Sequence, residues 1–555
     1  MWAVGDTRMI GLRRSVADKM VDLAETDPER PFCIHYVQSV SEIVTYGSLF
    51  ARASAIAQIL AAQQCKPGDV VLIFVKHHTD LYASFIGSML MGAIPSLMPY
   101  PNPKQDSALF WKSHNDLLHR IQPRLLVVSE SFASEFAENL PSFAERIRTV
   151  ESFAEPVGGA TFSVAPGNIA FLQHSSGTTA AKKGVVLTHA EVLAQVAAYR
   201  EAIGFTERDI IASWLPLYHD MGLISCFMMT LITGATLVAL DPFDWVSAPA
   251  CLLEVIERHR ATFCWLPNFA FHHIANSTRR GRNFDLSSVR AFINCSEPCK
   301  AESFDVFRRR FAGSGLGPHS LQICYAMAEN VFAVSQTNLA AVPRVFEVDR
   351  TRFEECGRAV AGTGLRLMSC GPPIRGVEVR IVTDDMAVNP DGVIGEVVIR
   401  SPFLFDGYFR QPEKTAAALQ KGWYHTGDLG FMESGELFLT GRKDDLLITY
   451  GRNYYAHDVE SIANQVKGVL PGRCVAFGIP DDVIGTSQVV LVTETSSKED
   501  PTLAGRIREA VLAQSGLALS YVQLSEPGWL IKTTSGKISR SANRGRYLEG
   551  MPTRD

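Results

Sequence analysis

The chain has no CxxC pair. Its 11 cysteines are scattered singly through 555 residues, and Cys295 and Cys299 have no His cluster beside them. A disulfide framework or a thiolate metal site needs tighter spacing, so buried, reduced thiols in a cytoplasmic protein are expected. A surplus of either charge is missing too. With 53 basic against 58 acidic residues the formal net charge is −5, which excludes a global positive field, and no nucleic-acid partner is expected. The N-terminal MWAVGDTRMIGLRRSVADKM has no sustained apolar core and does not read as a secretory signal. Two charge-free stretches, 81–98 and 221–240, have the length to cross a bilayer. Gly87, Gly92 and Pro95 interrupt the first and Gly234 the second, so each is expected to be a helix, a turn and a buried strand, with no membrane span. Internal repeats and low-complexity segments are absent as well.

What is present is a large folded core, with 46% hydrophobic and 20% charged residues. The length suggests about three or four structural units. Apolar spacing is helical over 15–23 and 48–61, whereas 70–75, 125–128, 262–266 and 289–294 are short runs typical of strands buried on both faces. Such alternation predicts an α/β fold: a large N-terminal region of layered α/β sheets. Around 377–400 the pattern changes to VEVRIV and GEVVIR, alternating strands about the turn NPDG at 389–392, so a small β-rich subdomain is expected over about 370–440. A charge cluster, RKDD at 442–445, follows. The hinge is placed at Asp444, dividing 1–443 from a small mobile α+β C-terminal domain, 444–555. In that domain helices are expected over 456–466 and 503–515, with strands near Val475, near Val489 and over 521–524.

The stretch FLQHSSGTTAAKKGVVL at 171–187 passes from one apolar run to another through hydroxyls, Gly177 and two lysines. Gly177 permits close backbone approach, Ser175, Ser176, Thr178 and Thr179 offer hydroxyls, and successive N–H groups in a tight turn make an anion nest. The spacing is not GxxxxGK[ST], so an ordinary P-loop is not implied. A polar hairpin without a ligand has the same composition and stays open as an alternative.

Seven motifs then stand in order: SSGTTAAKKG (175–184), WLPLYHDMGL (214–223), NCSEP (294–298), YAMAE (325–329), YHTGDLG (424–430), GRKDD (441–445) and TTSGK (533–537). Together, over nearly the whole chain, they resemble the adenylate-forming superfamily of acyl-CoA synthetases, nonribosomal-peptide adenylation domains and luciferases. WLPLYHDMGL, GRNYYAHDVE (451–460) and an extra segment at about 334–368 resemble the fatty acyl-AMP ligases. In those enzymes an insertion at this place goes with poor use of coenzyme A.

The resemblance implies ATP and Mg²⁺ as cofactors, a carboxylic acid as substrate, and an acyl carrier protein bearing phosphopantetheine as partner. It implies that Lys183 and the hydroxyl loop hold phosphates, and that Glu329, with Thr178, ligates Mg²⁺. Tyr325 would stack on adenine in a pocket lined by Asn294, Ser296, Glu297, Pro298, Ala326 and Met327. Asp428 would accept from the ribose hydroxyls beside Arg442. His219 would orient the carboxylate and α-phosphate, and Lys537 would swing in to bridge them. Phe269, Phe271 and Met221 are expected on the acyl-binding wall, with core packing the equal alternative for the phenylalanines. Two positions depart from the family pattern: Ala180 stands where Gly is usual and Lys182 where Pro is usual. An acyl-CoA synthetase and a non-catalytic nucleotide-binding protein are the alternatives.

Overall fold

Short apolar runs with no polar face build the interior. The computed structural model describes residues 14–102, 106–153, 163–174, 183–279, 281–449, 452–481, 486–496, 500–533 and 537–550. In it VVLIF at Val70–Phe74, LLVV at Leu125–Val128 and FCWL at Phe263–Leu266 are strands in which every residue is buried. Strands covered on both faces by helices have this composition.

An eight-stranded sheet runs in the order Ala333–Gln336, Leu321–Ala326, Ala291–Asn294, Phe263–Leu266, Ile210–Ser213, Thr236–Ala239, Pro31–Val37, Val40–Thr45. Its six inner strands pair in parallel and only the two edges are antiparallel. A second, parallel sheet orders Ile94–Leu97, Val70–Phe74, Leu125–Val128 and Ile147–Thr149. Both stretches long enough for a membrane resolve into helix, turn and strand. Thr79–Leu90 leads into Ile94–Leu97, and a π-helical segment Met221–Met228 with the helix Met229–Thr233 leads into Thr236–Ala239. Gly92 and Gly234 make the turns at φ 79° and 78°, where a side chain would be strained. No helix among the described residues is long and apolar enough to cross a membrane.

The β-rich region is a five-stranded antiparallel sheet in which Gly395–Arg400 and Glu436–Arg442 flank the long strand Trp423–Glu433. A single 3₁₀ turn, Lys443–Asp445, follows it. From Leu447 onward the chain packs cores of its own, around the helices Ala456–Ala463 and Leu503–Ser515 and the strands Val469–Asp481, Thr486–Thr495 and Tyr521–Ser525.

The stretch 334–368, expected as an extra segment, falls into two parts in the structure. Val334 is fully buried in Ala333–Gln336, the antiparallel edge strand of the large sheet, where the register skips it and its carbonyl accepts from Ile374 N–H at 3.0 Å. The rest includes the strand pair Val345–Asp349 and Gly364–Met368 enclosing the helix Arg350–Cys356. It braces the C-terminal unit: Phe353 meets Tyr455 at 6.0 Å between ring centroids, and Glu355 pairs with Arg452 at 2.5 Å.

Candidate active site

In an open α/β sheet, ligands bind beyond the carboxyl ends of the parallel strands. Asn294 and Tyr325 lie at those ends here, Trp214 just beyond Ile210–Ser213, and Asn268 beyond Phe263–Leu266. The hairpin Ile169–His174 and Gly184–Thr188, paired from His174↔Gly184 outward, flanks them. Ser175, Ser176, Gly177, Thr178, Thr179, Ala180 and Lys182 lie outside the described residues. Lys183 is described, and its ammonium sits 4.7 Å from the centroid of the Tyr408 ring. The Tyr408 hydroxyl donates to Glu329 Oε1 at 2.8 Å.

Glu329 belongs to a short 3₁₀ turn, Ala328–Asn330, that ends at Val331 with φ 59° and ψ −52°. Phe332 N–H donates to the Asn330 carbonyl across it at 2.6 Å. This is a γ-turn of the rare, strained hand, on a β-branched residue. Such strain persists only where neighbours over-determine it. Here Gln195 Nε2 donates to the carbonyls of Asn330 (3.0 Å) and Ala333 (2.8 Å), Asn330 Nδ2 donates to Ala333 O (2.7 Å), and Ser401 Oγ donates to Asn330 Oδ1 (2.6 Å). Phe405 N–H closes the set by donating to the Glu329 carbonyl at 2.9 Å.

Asp428 and Arg442 are direct register partners on adjacent strands, and Arg442 Nε lies 3.1 Å from Asp428 Oδ1. Tyr325 donates its hydroxyl to Asp428 Oδ2 at 2.5 Å. Burial pushes the Asp428 carboxyl up, against the opposing pull of Arg442 and Tyr325. The Asp428 charge raises Arg442, and burial raises Tyr325. Asn294 Nδ2 donates to Asn268 Oδ1 at 2.9 Å, while its buried Oδ1 has no partner among the described residues. After it, Cys295 is buried and Ser296 takes φ 72°. Glu297 Oε2 accepts from Phe269 N–H at 3.1 Å, with Pro298 next in the chain. Ala326 and Met327 are partly buried at the edge of the core.

Lys537 arrives from the C-terminal unit. Its Nζ donates to the Ser296 carbonyl at 2.7 Å, and Ser296 Oγ lies 3.7 Å from Met221 Sδ. His219 and Asp220 immediately precede Met221. Leu223 N–H donates to the His219 carbonyl at 2.8 Å, and the Asp220 side chain caps the π-helical segment by accepting from Met221 N–H at 2.9 Å. π-Helical turns recur at functional sites. Gly222 has to be Gly, since a Cβ there would lie 2.4 Å from the Pro216 carbonyl. Burial raises the Asp220 carboxyl and the nearby Lys537 charge lowers it.

The two phenylalanines separate. Phe271 faces the interior, 5.1 Å from Phe304 and 5.3 Å from Phe307 between centroids, and is fully buried. It packs the helix Asn268–Ser277 onto Ala301–Arg310, in line with the core-packing alternative. Phe269 is 47% exposed, edge-on to Trp214 and Trp245 at 6.3 and 6.1 Å. Those indoles stack at 3.6 Å with 4° between planes. Asp444 lies in the 3₁₀ turn Lys443–Asp445. Sequence reasoning passed over Asp220 and Tyr408. The motif HDMG contains the first, but no local pattern marks the second, whose place depends on Gly407–Tyr408 pairing with Gly184–Thr188. Among the described residues no group of three His, Cys, Asp or Glu side chains is arranged to hold a metal.

The AMP-binding enzyme family matches residues 22–409. The long-chain-fatty-acid–AMP ligase FadD26 of Mycobacterium marinum is 30% identical over 550 residues, covering 91% of this chain and 92% of that protein. The medium-chain-fatty-acid–[acyl-carrier-protein] ligase JamA of Moorena producens is 30% identical over 538 residues, covering 91% and 90%. A solved structure from work on fatty acyl-adenylate ligases of E. coli and L. pneumophila superposes with a TM-score of 0.89 at 26% identity, over 96% of this chain and 97% of that one.

Proposed function

The chain belongs to the AMP-binding enzyme family and is an adenylate-forming ligase; on that premise we propose that it joins a fatty acid to AMP and then delivers the acyl group to the phosphopantetheine thiol of an acyl carrier protein. In the first half-reaction the carboxylate attacks the α-phosphorus of ATP and pyrophosphate leaves. No general base is needed, because a carboxylate is already ionised at neutral pH. The obstacle is repulsion between anions, so positioning and charge neutralisation carry the rate.

Lys183 neutralises the outgoing phosphates. His219 orients the carboxylate, Asp428 accepts from the ribose hydroxyls, and Arg442 holds Asp428 in place. The unpartnered Asn294 Oδ1 is the kind of acceptor a nucleobase amino group satisfies. Glu329 is the residue that would hold Mg²⁺. One carboxylate with phosphate oxygens is how that ion is usually kept, and it supplies charge neutralisation when bound. Phe269 and Met221 face the acyl chain. Lys537 bridges carboxylate and α-phosphate, and rotation about Asp444 then withdraws it to admit the thiol. A cytoplasmic setting follows from the need for ATP and a reduced thiol.

The observation that most supports this reading is the 2.7 Å approach of Lys537 Nζ to the Ser296 carbonyl, which brings a cation from the C-terminal unit beside Met221 and Asp220. The extra segment expected at about 334–368 favours a carrier protein over coenzyme A. The test is pyrophosphate release with a panel of fatty acids, followed by thioester formation with a holo carrier protein or with coenzyme A. Carboxylate-dependent release and preference for the carrier are expected. Efficient use of coenzyme A overturns the acceptor, and no carboxylate-dependent release overturns the whole reading.

A further inference from the structure

Lys183 and Glu329, the cation and the carboxylate assigned above to phosphate and to Mg²⁺, do not pair with each other. Each meets a different part of one buried side chain. The Lys183 ammonium rests 4.7 Å from the centroid of the Tyr408 ring, and the Tyr408 hydroxyl donates to Glu329 Oε1 at 2.8 Å. Tyr408 is 4% exposed.

The backbone fixes all three. Tyr408 opposes Val185 in the pairing of Gly407–Tyr408 with Gly184–Thr188, two residues from Lys183. Phe409 N–H donates to the Gly184 carbonyl at 2.8 Å, and Tyr408 N–H donates to Thr415 Oγ1 at 2.9 Å. Phe405, three residues earlier, holds the Glu329 carbonyl through its N–H. The ring is buttressed by Phe405 at 4.9 Å between centroids, and Tyr424 Oη lies 3.5 Å from Tyr408 Oη.

An ammonium and a carboxylate in a half-buried site attract strongly. If they closed into an ion pair, the pair would compete with pyrophosphate for the cation and with a divalent ion for the carboxylate. A tyrosine between them prevents this. Its face holds the ammonium by cation–π attraction, which is weak enough to yield to phosphate. Its hydroxyl steadies one carboxylate oxygen and leaves the other to a metal.

We propose that Tyr408 is a positioning residue that keeps Lys183 and Glu329 apart, so that one seat remains cationic for phosphate and the other anionic for a divalent ion. The inference rests on the nucleotide reading above.

It is tested by equilibrium binding of a fluorescent ATP analogue to the full-length protein, with and without Mg²⁺, so that no turnover is needed. If the unaltered protein binds no nucleotide, the nucleotide reading itself fails, and this inference with it. Given binding, Tyr408→Phe keeps the ring and removes the hydroxyl. The Mg²⁺ concentration giving half-maximal enhancement should rise about tenfold, the order for a hydrogen bond to a charged group, while metal-free affinity stays unchanged. Tyr408→Leu removes the ring as well, and metal-free affinity should then fall as Lys183 collapses onto Glu329. Adding Glu329→Gln to that variant should restore metal-free affinity, which a merely structural tyrosine would not do. An unchanged Mg²⁺ requirement in Tyr408→Phe overturns the proposal, whether or not the leucine variant folds. So does a folded double variant whose metal-free affinity is not restored.

Discussion

Replacing Lys537 by Ala separates chemistry from folding more cleanly than any other change at the site. Among the described residues the side chain contributes one hydrogen bond, to the Ser296 carbonyl, and it belongs to neither core of the C-terminal unit. Losing one partly exposed hydrogen bond costs about 1 kcal/mol, so the melting curve should barely move. The catalytic loss should be far larger. Removing one preorganised donor from the place where charge develops costs about 10²–10³ in rate, or roughly 3–4 kcal/mol, and a full positive charge sits at or above that range. The assay is carboxylate-dependent exchange of labelled pyrophosphate into ATP, run beside acyl transfer from pre-formed acyl-adenylate to a holo carrier protein. Exchange should collapse while transfer survives, because the lysine leaves before the thiol arrives. Undiminished exchange would refute the role given to Lys537. Equal losses in both assays would refute the idea that it serves the first half-reaction alone.

Lys183→Ala should weaken nucleotide and pyrophosphate affinity and leave folding intact; unaltered ATP dependence would shift the role to Lys182. At Val331 the usual order of Gly and Ala should reverse, since Ala keeps the strained φ of 59° and Gly does not: Val331→Gly should be about 1 kcal/mol more stable than Val331→Ala in urea, and the opposite order would remove the strained turn. Burial holds His35 down at about 3 and His189 at about 4, so below pH 6.5 the unfolded chain takes up protons the folded one refuses. Their contribution is full above pH 6.5 and is lost as the pH falls through about 4 for His189 and about 3 for His35; at pH 5 the two together should cost about 4 kcal/mol, and a urea midpoint unchanged between pH 7 and 5 would contradict it.

The sequence was legible where a pattern is local. Leu125–Val128 and Leu503–Ser515 fall on the residues the apolar spacing picked out, because a buried strand and an amphipathic helix are each written in consecutive side chains. The strand that holds Val334 was not legible, for the opposite reason. Nothing in AVSQ shows that this strand pairs with Leu321–Ala326. Phe269 and Phe271 were inseparable in sequence, yet two residues along a helix turn them to different faces, one towards Phe304 and Phe307 and the other towards solvent. Tyr408 was invisible because its meaning lies in a strand pairing between remote parts of the chain. Motifs name the groups that touch a substrate far better than the groups that hold those in place.

The strain in the structure follows the same division. Ser296, whose carbonyl receives Lys537, has φ 72°, and Val331, two residues after Glu329, has φ 59°. Neither is Gly, and one is β-branched, so both conformations cost free energy the fold must supply elsewhere. Each lies just past a fully buried strand end or turn, after Asn294 in one case and Asn330 in the other, and both asparagines are 0% exposed. Asn294 is held by Asn268, and Asn330 by Gln195 and Ser401. Amide side chains of this kind satisfy backbone and side-chain groups without adding net charge, which suits a site whose charges must be reserved for phosphates and a carboxylate. The rigid sheet thus supplies neutral anchors, the strained residues re-aim the chain just beyond them, and on the proposed function the charged groups Lys183, Glu329 and Lys537 are the ones that would meet the reactants.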